Sequence, residues 1–419
     1  MDQKYLGFQC IHCSQEFEPA RVRYVCSSCG GNLQITYDYK KIRRVLTKQA
    51  LAKNPITSIW RYLDILPVSG SSGLSPLQIG WTPLYPSVQG GLGDKLGLKR
   101  LFFKDDGRNP SASFKDRAGA IAVARAFDVG ENLITGASTG NAASSLACVS
   151  VPLGMKTIIF VPQTAPQAKI AQLLVFGATV VAVKGTYDQA FDLCLEATQA
   201  YGWYNRNTGY NPFTREGKKT CSFEIAEQLD WAVPDFVIVP VGDGNIISGV
   251  WKGFKDLHAL GLIDRLPKLL GVQGGESDSV KRAFEGNGKI EAVSGATIAD
   301  SISVSIPRDG EAAVQALRES GGLAIGVSDA EILTGMRRLA REEGVFAEPA
   351  AAAAVAGLLQ AQARGVFRTE DKIVTLITGN GLKDVASAMK AVGQPFSISP
   401  TMDDLRQLML RLGLDSATK

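Results

Sequence analysis

The sequence predicts an α/β fold built on parallel sheets, and three observations carry that prediction. Short apolar runs typical of strands alternate with longer runs typical of helices through most of the chain. Polar, glycine-bearing segments follow several of the predicted strands, as expected where strands lead into helices. The 419 residues, 45% of them hydrophobic, suffice for two packed domains and a small appendage.

Strands are predicted where short aliphatic and β-branched runs stand between turn-forming residues. They are residues 101–104, 132–136, 157–161, 179–183, 236–241, 269–273 and 372–378. Helices are predicted where apolar residues recur at helical spacing or alanine dominates. They are residues 118–127, 141–151, 167–176, 187–201, 329–343 and 350–363. Such alternation places ligand sites at the carboxyl ends of the strands.

The charge, the apolar runs and the cysteine content of the chain argue against several classes of protein. The net charge of +4 is spread along the chain, which argues against a nucleic-acid partner and is compatible with small anionic substrates. The sequence contains no apolar run of the ~18 residues that a membrane span needs, and residues 1–8 lack the apolar core of a signal peptide. Seven cysteines, an odd number without a secretory signal, favour a reducing cytoplasm.

Two CxxC pairs mark the N-terminal segment. They are Cys10 with Cys13 and Cys26 with Cys29. Four thiolates at this spacing can surround zinc tetrahedrally, and so short a segment has little core of its own. We expect a structural zinc site because four cysteines leave no open coordination position, and we expect His12 to be a bystander. A ribbon that packs without metal is the alternative.

The remaining organisation follows from composition. Residues 39–62 have helical character with a basic face, and residues 66–80 form a connector rich in Pro, Ser and Gly. Residues 402–412 place Leu405, Leu408, Met409 and Leu412 at helical spacing, which favours core packing over a dimer contact. The predicted regions are a four-cysteine, zinc-ribbon-like segment (1–38), a helical linker (39–80), a catalytic region of two interleaved α/β domains (81–395) and a C-terminal helix (396–419).

Lys115 is the predicted catalytic residue. Residues 109–117 place an Asn-Pro turn and three small residues before a helix, with Lys115 at its entrance. The positive end of the helix dipole disfavours the ammonium form and so favours a nucleophilic amine, which can form a Schiff base with an aldehyde cofactor. Taken alone, the segment fits an ordinary solvated lysine better.

Three further loops have the composition of ligand sites. Hydroxyl and amide groups in residues 136–141 meet a helix start, which suits a carboxylate. Consecutive glycines in residues 241–249 let backbone amides converge on an anion, which predicts a phosphate cup. Residues 378–384 form a similar polar loop. Each loop alone is weak evidence, since glycine turns are common in α/β proteins.

Together these segments resemble the threonine synthase family of fold-type II pyridoxal phosphate enzymes. The motifs, in order, are Ser113-Phe114-Lys115-Asp116-Arg117, Ser138-Thr139-Gly140-Asn141, the loop from Gly242 to Asn245, Glu348-Pro349-Ala350 and Thr378-Gly379-Asn380-Gly381-Leu382-Lys383-Asp384. The resemblance implies a tryptophan synthase β-like fold of two three-layer α/β/α domains. It also implies a pyridoxal 5'-phosphate-dependent lyase, which we expect to be a cytoplasmic homodimer.

The resemblance also implies roles for individual residues. Lys115 would hold the cofactor through a Schiff base, with Phe114 packing beside it. Asn141 would bind the phenolic oxygen of the ring, and Thr378 would face the pyridine nitrogen. A hydroxyl there does not stabilise a pyridinium as a carboxylate would, which favours elimination and replacement chemistry. The cofactor phosphate would be held by Gly242, Asp243, Gly244 and Asn245.

In the family the substrate is O-phosphohomoserine, and the products are threonine and phosphate. Ser138 and Thr139 would bind the substrate carboxylate. Residues 205–220, with Asn211 and Arg215, resemble the segment that reaches the substrate phosphate. We predict the contact for Arg215 because a guanidinium matches phosphate oxygens bidentately. A solvated loop arginine is an equal alternative.

Some positions depart from the family pattern and leave other reactions open. Ala112 stands where the family commonly has glycine, Ala142 where it often has threonine, and Asp243 in a loop that is usually rich in asparagine. A cysteate synthase-like enzyme, replacing the phosphate of O-phosphoserine with sulfite, is one alternative, and a threonine or diaminopropionate ammonia-lyase is another. A non-catalytic metabolite-binding protein, opposed by the intact Lys115, and a nucleic-acid-binding ribbon are further alternatives.

Overall fold

Three β-sheets organise the chain in the computed structural model, which describes residues 5–20, 23–70, 73–165 and 167–414. The first sheet is small and antiparallel, in the order β2-β1-β3. Its strands are β1 (Gly7–Cys10), β2 (Glu16–Phe17) and β3 (Leu33–Thr36). Phe8, Leu33 and Ile35 are buried in the core. This segment therefore packs against the rest of the chain and does not hang free.

The helix predicted over residues 39–62 is wrong, because the segment is broken into three short pieces. They are α1 (Tyr39–Ile42), α2 (Lys48–Lys53) and a 3₁₀ helix (Ile59–Ile65). The Thr47 side chain accepts a hydrogen bond from Ala50 N and so starts a new helix. Pro55 lacks a backbone N–H, and α2 has already ended at Lys53. The described parts of the connector, residues 66–70 and 73–80, carry no helix or strand, as predicted.

Two larger sheets form the body of the protein. Their strands are β4 (Leu84–Pro86), β5 (Arg100–Asp105), β6 (Leu133–Ala137), β7 (Lys156–Pro162), β8 (Thr179–Val183), β9 (Tyr204–Asn205), β10 (Phe236–Pro240), β11 (Lys268–Gly274), β12 (Leu323–Val327) and β13 (Lys372–Ile377). One sheet has the order β12-β11-β10-β13-β5-β4, and the other has the order β8-β7-β6-β9. All neighbouring pairs in both sheets are parallel except β4 with β5.

Helices cover both faces of each of these sheets. The remaining helices are α3 (Leu92–Leu96), α4 (Lys115–Asp128), α5 (Asn141–Ser150), α6 (Gln167–Val175), α7 (Tyr187–Tyr201), α8 (Phe213–Lys218), α9 (Thr220–Gln228), α10 (Asn245–Ala259), α11 (Ser279–Glu285), α12 (Gly310–Glu319), α13 (Asp329–Glu343), α14 (Pro349–Ala363), α15 (Val385–Val392) and α16 (Met402–Leu412). In the larger sheet, α14 packs on the central strands, while α10, α11 and α12 form a separate layer. In the smaller sheet, α7 lies apart from the layer formed by α5 and α6. The predicted α/β class with parallel sheets is confirmed.

The C-terminal helix packs less than its apolar spacing predicts. Leu408 is buried, Leu405 and Met409 are partly buried, and Leu412 is exposed. The helix itself lies where it is predicted. A search of the described residues for a helix with the length and apolarity of a membrane span finds none.

Candidate active site

A cavity of about 350 Å³ lies where the carboxyl ends of β5, β6, β10 and β13 meet. Residues from each of the four predicted ligand loops line it, which are Lys115, Ser138, Thr139, Asn141, the loop from Gly242 to Asn245, and Thr378. Residues that are far apart in sequence are thus brought to one edge of two sheets, as the parallel topology requires. Phe114, Asn211 and Arg215 are predicted site residues that do not contribute to the described cavity wall.

The first residue of α4 is Lys115, and the loop before it is held in place by backbone contacts. Phe114 N donates to the Thr378 carbonyl at 2.9 Å, and Asn380 N donates to the Ala112 carbonyl at 3.1 Å. The buried Asp116 carboxylate accepts hydrogen bonds from the N–H and hydroxyl of Ser111 at 2.6 and 2.5 Å. The two backbone bonds tie the lysine loop to the loop after β13, and the bonds to Asp116 hold the lysine loop itself. The backbone from which the Lys115 side chain extends is therefore fixed in position.

Burial lowers the pKa of the Lys115 amine, which is the change that a nucleophilic amine needs. The Arg206 guanidinium lowers that pKa further, whereas Glu348 and Asp243 oppose the shift. The sequence predicts such a shift from the helix dipole, and the structure adds burial as its main cause. The surroundings of Lys115 therefore shift its equilibrium towards the neutral, nucleophilic amine.

Ala112 occupies a backbone conformation that favours glycine. Its φ is +62°, in the left-handed region, where a Cβ atom is unfavourable. The family that this chain resembles commonly has glycine at this position. The alanine is therefore accommodated with strain in the same loop that delivers Lys115.

The predicted phosphate cup lies between β10 and α10. Gly244 has a φ of +87°, and a Cβ atom there would lie 2.6 Å from the Asp309 carbonyl oxygen. A Cβ atom at Gly242 would lie 2.9 Å from Ile302 Cα. Both positions therefore require glycine, and they lead directly into a helix of 15 residues that begins at Asn245. This is the geometry in which helix N-termini bind anions.

Asp243, the acidic residue in the cup, accepts hydrogen bonds from backbone N–H groups. Asp243 Oδ1 accepts a hydrogen bond from Arg308 N at 3.2 Å, and the Asp243 carbonyl accepts one from Asp309 N at 2.8 Å. Burial raises the pKa of the Asp243 carboxyl, and that backbone bond opposes the shift. The backbone N–H groups of residues 308 and 309 thus accommodate an aspartate in a loop that is usually rich in asparagine.

Lys218 is a cation beside the cup that the sequence analysis did not select. Its side chain is fully buried, lines the cavity, and donates a hydrogen bond to Asn245 Oδ1. Burial lowers its pKa well below the usual value, and the neighbouring Lys115 and Arg206 act in the same direction. A bound anion in the cup would oppose this lowering of the pKa and give the buried amine a partner.

Elsewhere in the cavity wall, a hydrogen bond joins Asn141 to Glu348. Asn141 Nδ2 donates to Glu348 Oε1 at 2.7 Å and to Ser301 Oγ at 3.3 Å. A Cβ atom at Gly379 would lie 2.2 Å from Glu348 Oε1, so the carboxylate packs directly on this glycine. Burial raises the pKa of Glu348. Ser138 Oγ accepts a hydrogen bond from Gly140 N at 3.2 Å, which orients the hydroxyl at the start of α5.

Arg206 is a further cavity residue that the sequence analysis did not select. It is only 3% exposed, and its Nη1 donates to Thr208 Oγ1 at 3.2 Å. Within the described part of the chain, its Nε and Nη2 atoms have no hydrogen-bond partner. Burial lowers its pKa to about 10, and Tyr187 and Asp243 partly offset that shift. It follows β9, a strand of two residues that gives too weak a sequence pattern to predict.

The structure places Arg215 and Asn211 elsewhere, so their prediction as substrate contacts is corrected. Arg215 Nη2 donates to both Asp309 oxygens at 2.6 and 2.8 Å, and its Nε donates to Ser248 Oγ at 3.2 Å. Asn211 Nδ2 donates to the Asn205 carbonyl at 2.7 Å, and Asn211 Oδ1 accepts from Phe213 N at 2.9 Å. Residues 205–220 are also not one loop, since α8 lies within them.

Phe114 is likewise enclosed in the core and does not line the cavity. Its ring is 1% exposed, and the Arg117 guanidinium lies 5.4 Å from the ring centroid. Packing directly beside a cofactor is therefore not the contact that its position supports. The ring instead holds the segment before Lys115 against α4.

The four N-terminal cysteines form one cluster. Their Sγ atoms all lie within 4.8 Å of one another, and neighbouring pairs are 3.5 to 3.7 Å apart. A tetrahedron with Zn–S distances of about 2.3 Å has sulfurs about 3.8 Å apart, so the cluster fits zinc. His12 is not part of this cluster, because its Nδ1 lies 2.9 Å from Glu311 Oε1. None of the seven cysteines, all of which lie in the described residues, forms a disulfide.

The cavity residues fit pyridoxal phosphate. A partly buried amine, a glycine cup at a helix start and a buried cation beside that cup match its aldehyde and phosphate. Asn141 and Thr378 also line this cavity.

Comparison with known proteins gives a consistent result. The family described as pyridoxal-phosphate dependent enzymes matches residues 76–379. The chain is 40% identical over 407 residues to a threonine synthase of Methanocaldococcus jannaschii, covering 96% of this chain and 99% of that protein. It is 36% identical over 402 residues to a threonine synthase of Methanosarcina acetivorans, covering 95% and 97%.

Solved structures resemble the fold. The processed form of threonine deaminase isoform 2 from Solanum lycopersicum superposes with a TM-score of 0.64 at 23% identity, covering 74% of this chain and 83% of that chain. Maize serine racemase gives a TM-score of 0.62 at 22% identity, covering 79% and 92%. At these identities the likeness concerns the fold alone, and it confirms the predicted fold-type II architecture.

Proposed function

The chain belongs to the threonine synthase family of fold-type II pyridoxal-phosphate-dependent enzymes, and from that premise we propose that it converts O-phosphohomoserine and water into L-threonine and phosphate. The family makes the protein a lyase and confirms the predicted cofactor. The identity of the substrate is the part that we propose.

One observation carries the choice of a phosphorylated substrate. Arg206 lines the cavity and is 3% exposed, and two of its nitrogens have no hydrogen-bond partner among the described residues. A buried guanidinium with unpartnered N–H groups is unfavourable, and a planar fork of donors matches phosphate oxygens. We assign the substrate phosphate to Arg206 in place of Arg215, whose guanidinium is engaged by Asp309.

The other anionic groups are assigned by position. The cofactor phosphate goes to the cup from Gly242 to Asn245, because Lys218 and the start of α10 lie there. The substrate carboxylate goes to Ser138 and Thr139 at the start of α5. This arrangement gives each of three anionic groups its own set of donors.

The chain's own residues then account for proton transfer. Pyridoxal phosphate, when bound, draws electrons from the substrate Cα and so makes the proton on that carbon removable. The Lys115 amine, with its lowered pKa, removes the Cα proton and then a Cβ proton, so that phosphate can leave Cγ. Protons are returned to Cγ and to Cα, and water adds at Cβ. Arg206 holds the leaving phosphate and balances the charge that it gains. Asn141 and Thr378 orient the cofactor ring.

The test is product release by the purified, cofactor-loaded protein. We expect O-phosphohomoserine to give threonine and phosphate in equal amounts. O-phosphoserine with sulfite, and threonine alone, are run alongside. Turnover in the sulfite reaction without turnover of O-phosphohomoserine would identify the cysteate synthase-like alternative, and ammonia release from threonine would identify an ammonia-lyase.

The remaining proposals concern the setting of the enzyme. We propose that the metal of the cysteine cluster is zinc, since its four sulfur atoms fit that ion. We propose a cytoplasmic homodimer, and the free state of all seven cysteines supports a reducing compartment. Sedimentation analysis of the holoenzyme tests the dimer.

A further inference from the structure

The cysteine ribbon contacts the segment that builds the phosphate cup. Asn32, which lies between Cys29 and β3, donates from Nδ2 to the Arg308 carbonyl at 2.7 Å and to Asp309 Oδ1 at 3.0 Å. Arg308 lines the cavity, and its backbone N–H bonds the Asp243 carboxylate. One side chain of the ribbon thus contacts the segment that supports the loop of the predicted cofactor site.

Asp309 is the centre of this connection. The residue is 2% exposed, and its backbone N–H donates to the Asp243 carbonyl at 2.8 Å. Its carboxylate accepts hydrogen bonds from four side chains, which are Asn32, Arg215, Asn245 and Ser248. Asn245 also receives the hydrogen bond of Lys218. The position of Asp309 therefore fixes both the loop and the first residue of α10.

The position of Asn32 is in turn set by the two cysteine knuckles. Its carbonyl accepts a hydrogen bond from Ile11 N in the first knuckle at 2.9 Å, and its backbone bridges to Val25 beside the second knuckle. Gly31 packs against both knuckles, since a Cβ atom there would lie 3.0 Å from Cys10 Sγ and 3.2 Å from Cys29 Sγ. A metal ion bound by the four cysteines would hold the two knuckles, and with them Asn32, in a fixed position.

Further contacts make the ribbon part of the same wall. The Leu33 carbonyl accepts a hydrogen bond from Arg215 Nη1 at 3.3 Å, and Tyr37 donates to Glu216 Oε2 at 2.6 Å. Both partners belong to α8, the helix that also contains Lys218. The ribbon therefore contacts two elements of the cup, the 308–309 segment and α8.

We propose that the cysteine ribbon is a positioning module for the cofactor phosphate, with Asn32 as the positioning residue that transmits the geometry of the metal-bound knuckles to Asp309. The proposal rests on the proposed place of the cofactor phosphate at residues 242–245. It gives the N-terminal segment a role in cofactor binding without any contact between the metal and the substrate.

Asn32→Ala tests this role directly in the full-length protein. The dissociation constants of pyridoxal phosphate and of pyridoxal, which lacks the phosphate, are measured by absorbance titration of cofactor-free protein. Because Asn32 donates to a charged carboxylate, we expect the variant to bind pyridoxal phosphate about tenfold more weakly. We expect pyridoxal binding to change less than about twofold, because only the phosphate contacts the cup.

The matched control is Gln34→Ala, which removes an amide from the same segment of the ribbon. Gln34 donates to Gln9 Oε1 at 2.9 Å within the ribbon, so both affinities should stay at the wild-type values. Zinc content and the far-ultraviolet circular dichroism spectrum are measured for all three proteins. Equal weakening for both ligands, or unchanged affinity for pyridoxal phosphate in Asn32→Ala, would overturn the proposal.

Metal withdrawal provides a second measurement that does not depend on a variant. A chelator added to the reduced wild-type protein should weaken pyridoxal phosphate binding, and added zinc should restore it. Wild-type affinity in metal-depleted protein would contradict the role of the ribbon. None of these titrations uses O-phosphohomoserine, so failure of this inference is distinct from failure of the proposed reaction.

Discussion

Replacing Arg206 by methionine should make the free protein more stable and the enzyme less active. Methionine is unbranched and apolar, so Arg206→Met removes the charge and both unpartnered nitrogens while filling much of the same space. A buried unsatisfied polar group costs about 1–3 kcal/mol, so we expect the free energy of unfolding to rise by about 1 kcal/mol without ligands. Opposite effects on stability and activity are characteristic of a binding group.

The expected loss of activity follows from the same two nitrogens. Charge-assisted hydrogen bonds contribute about 1.5–3 kcal/mol each, and the lower figure for both gives about 3 kcal/mol. At about 1.4 kcal/mol per factor of ten, kcat/KM for O-phosphohomoserine should fall about a hundredfold. Inorganic phosphate, which shares the same contact, should inhibit the variant far more weakly than the wild type.

Arg215→Met is the matched control, because Arg215 is an equally buried arginine in the same segment with a carboxylate partner. Removing one member of a buried pair costs about 3–5 kcal/mol, so this variant should be strongly destabilised. Urea unfolding of the cofactor-free proteins and steady-state kinetics supply both measurements. A destabilised Arg206→Met, or one with wild-type kcat/KM, would refute the assignment of the substrate phosphate to Arg206.

Three further predictions follow from single features of the site. Ala112→Gly should raise the free energy of unfolding by about 1 kcal/mol in urea, because it relieves a positive φ; unchanged or lower stability would show that the loop carries no strain. Burial raises the pKa of Glu348 above 4.5, so the folded state binds the extra proton and its stability falls as the pH rises through the folded pKa. Glu348→Gln should therefore gain stability over the wild type between acid and neutral pH, and a constant difference would contradict that shift. Metal analysis under reducing conditions should find about one zinc per chain, and less than about half would favour a metal-free ribbon.

Strong local patterns allowed much of the fold to be predicted from the sequence. The strand Thr179–Val183 and the helices Tyr187–Tyr201 and Asp329–Glu343 have the predicted ends. The strand is a short run rich in β-branched residues, and each helix has a capping residue at its start and a glycine after its end. The edge strand Leu323–Val327 and the helix Asn245–Ala259 were not predicted. A short edge strand gives little pattern, and the helix begins at Asn245, inside the glycine-bearing segment that predicts a loop.

The residues of the site divide in the same way, into those that a local sequence pattern predicts and those that only tertiary contacts distinguish. Lys115, Asn141 and Thr378 could be predicted because their loops follow strands, and parallel strands bring such loops to one edge. Arg206 and Arg215 lie in one polar segment, and nothing local distinguishes them. The partner that engages Arg215 is Asp309, which lies 94 residues further along the chain. Which arginine stays available is therefore a tertiary property.

The charged groups around the cavity support our proposal that the site binds two phosphate groups. Lys218 and Arg206 are both buried, and Arg206 lowers the pKa of both Lys115 and Lys218. Burial raises the pKa of the Asp243 and Glu348 carboxyls, which also line the cavity. A cofactor phosphate in the cup would lie beside Lys218 and leave the two unpartnered nitrogens of Arg206 without a partner among the described residues. These nitrogens are therefore our argument for proposing a substrate that carries a phosphate of its own.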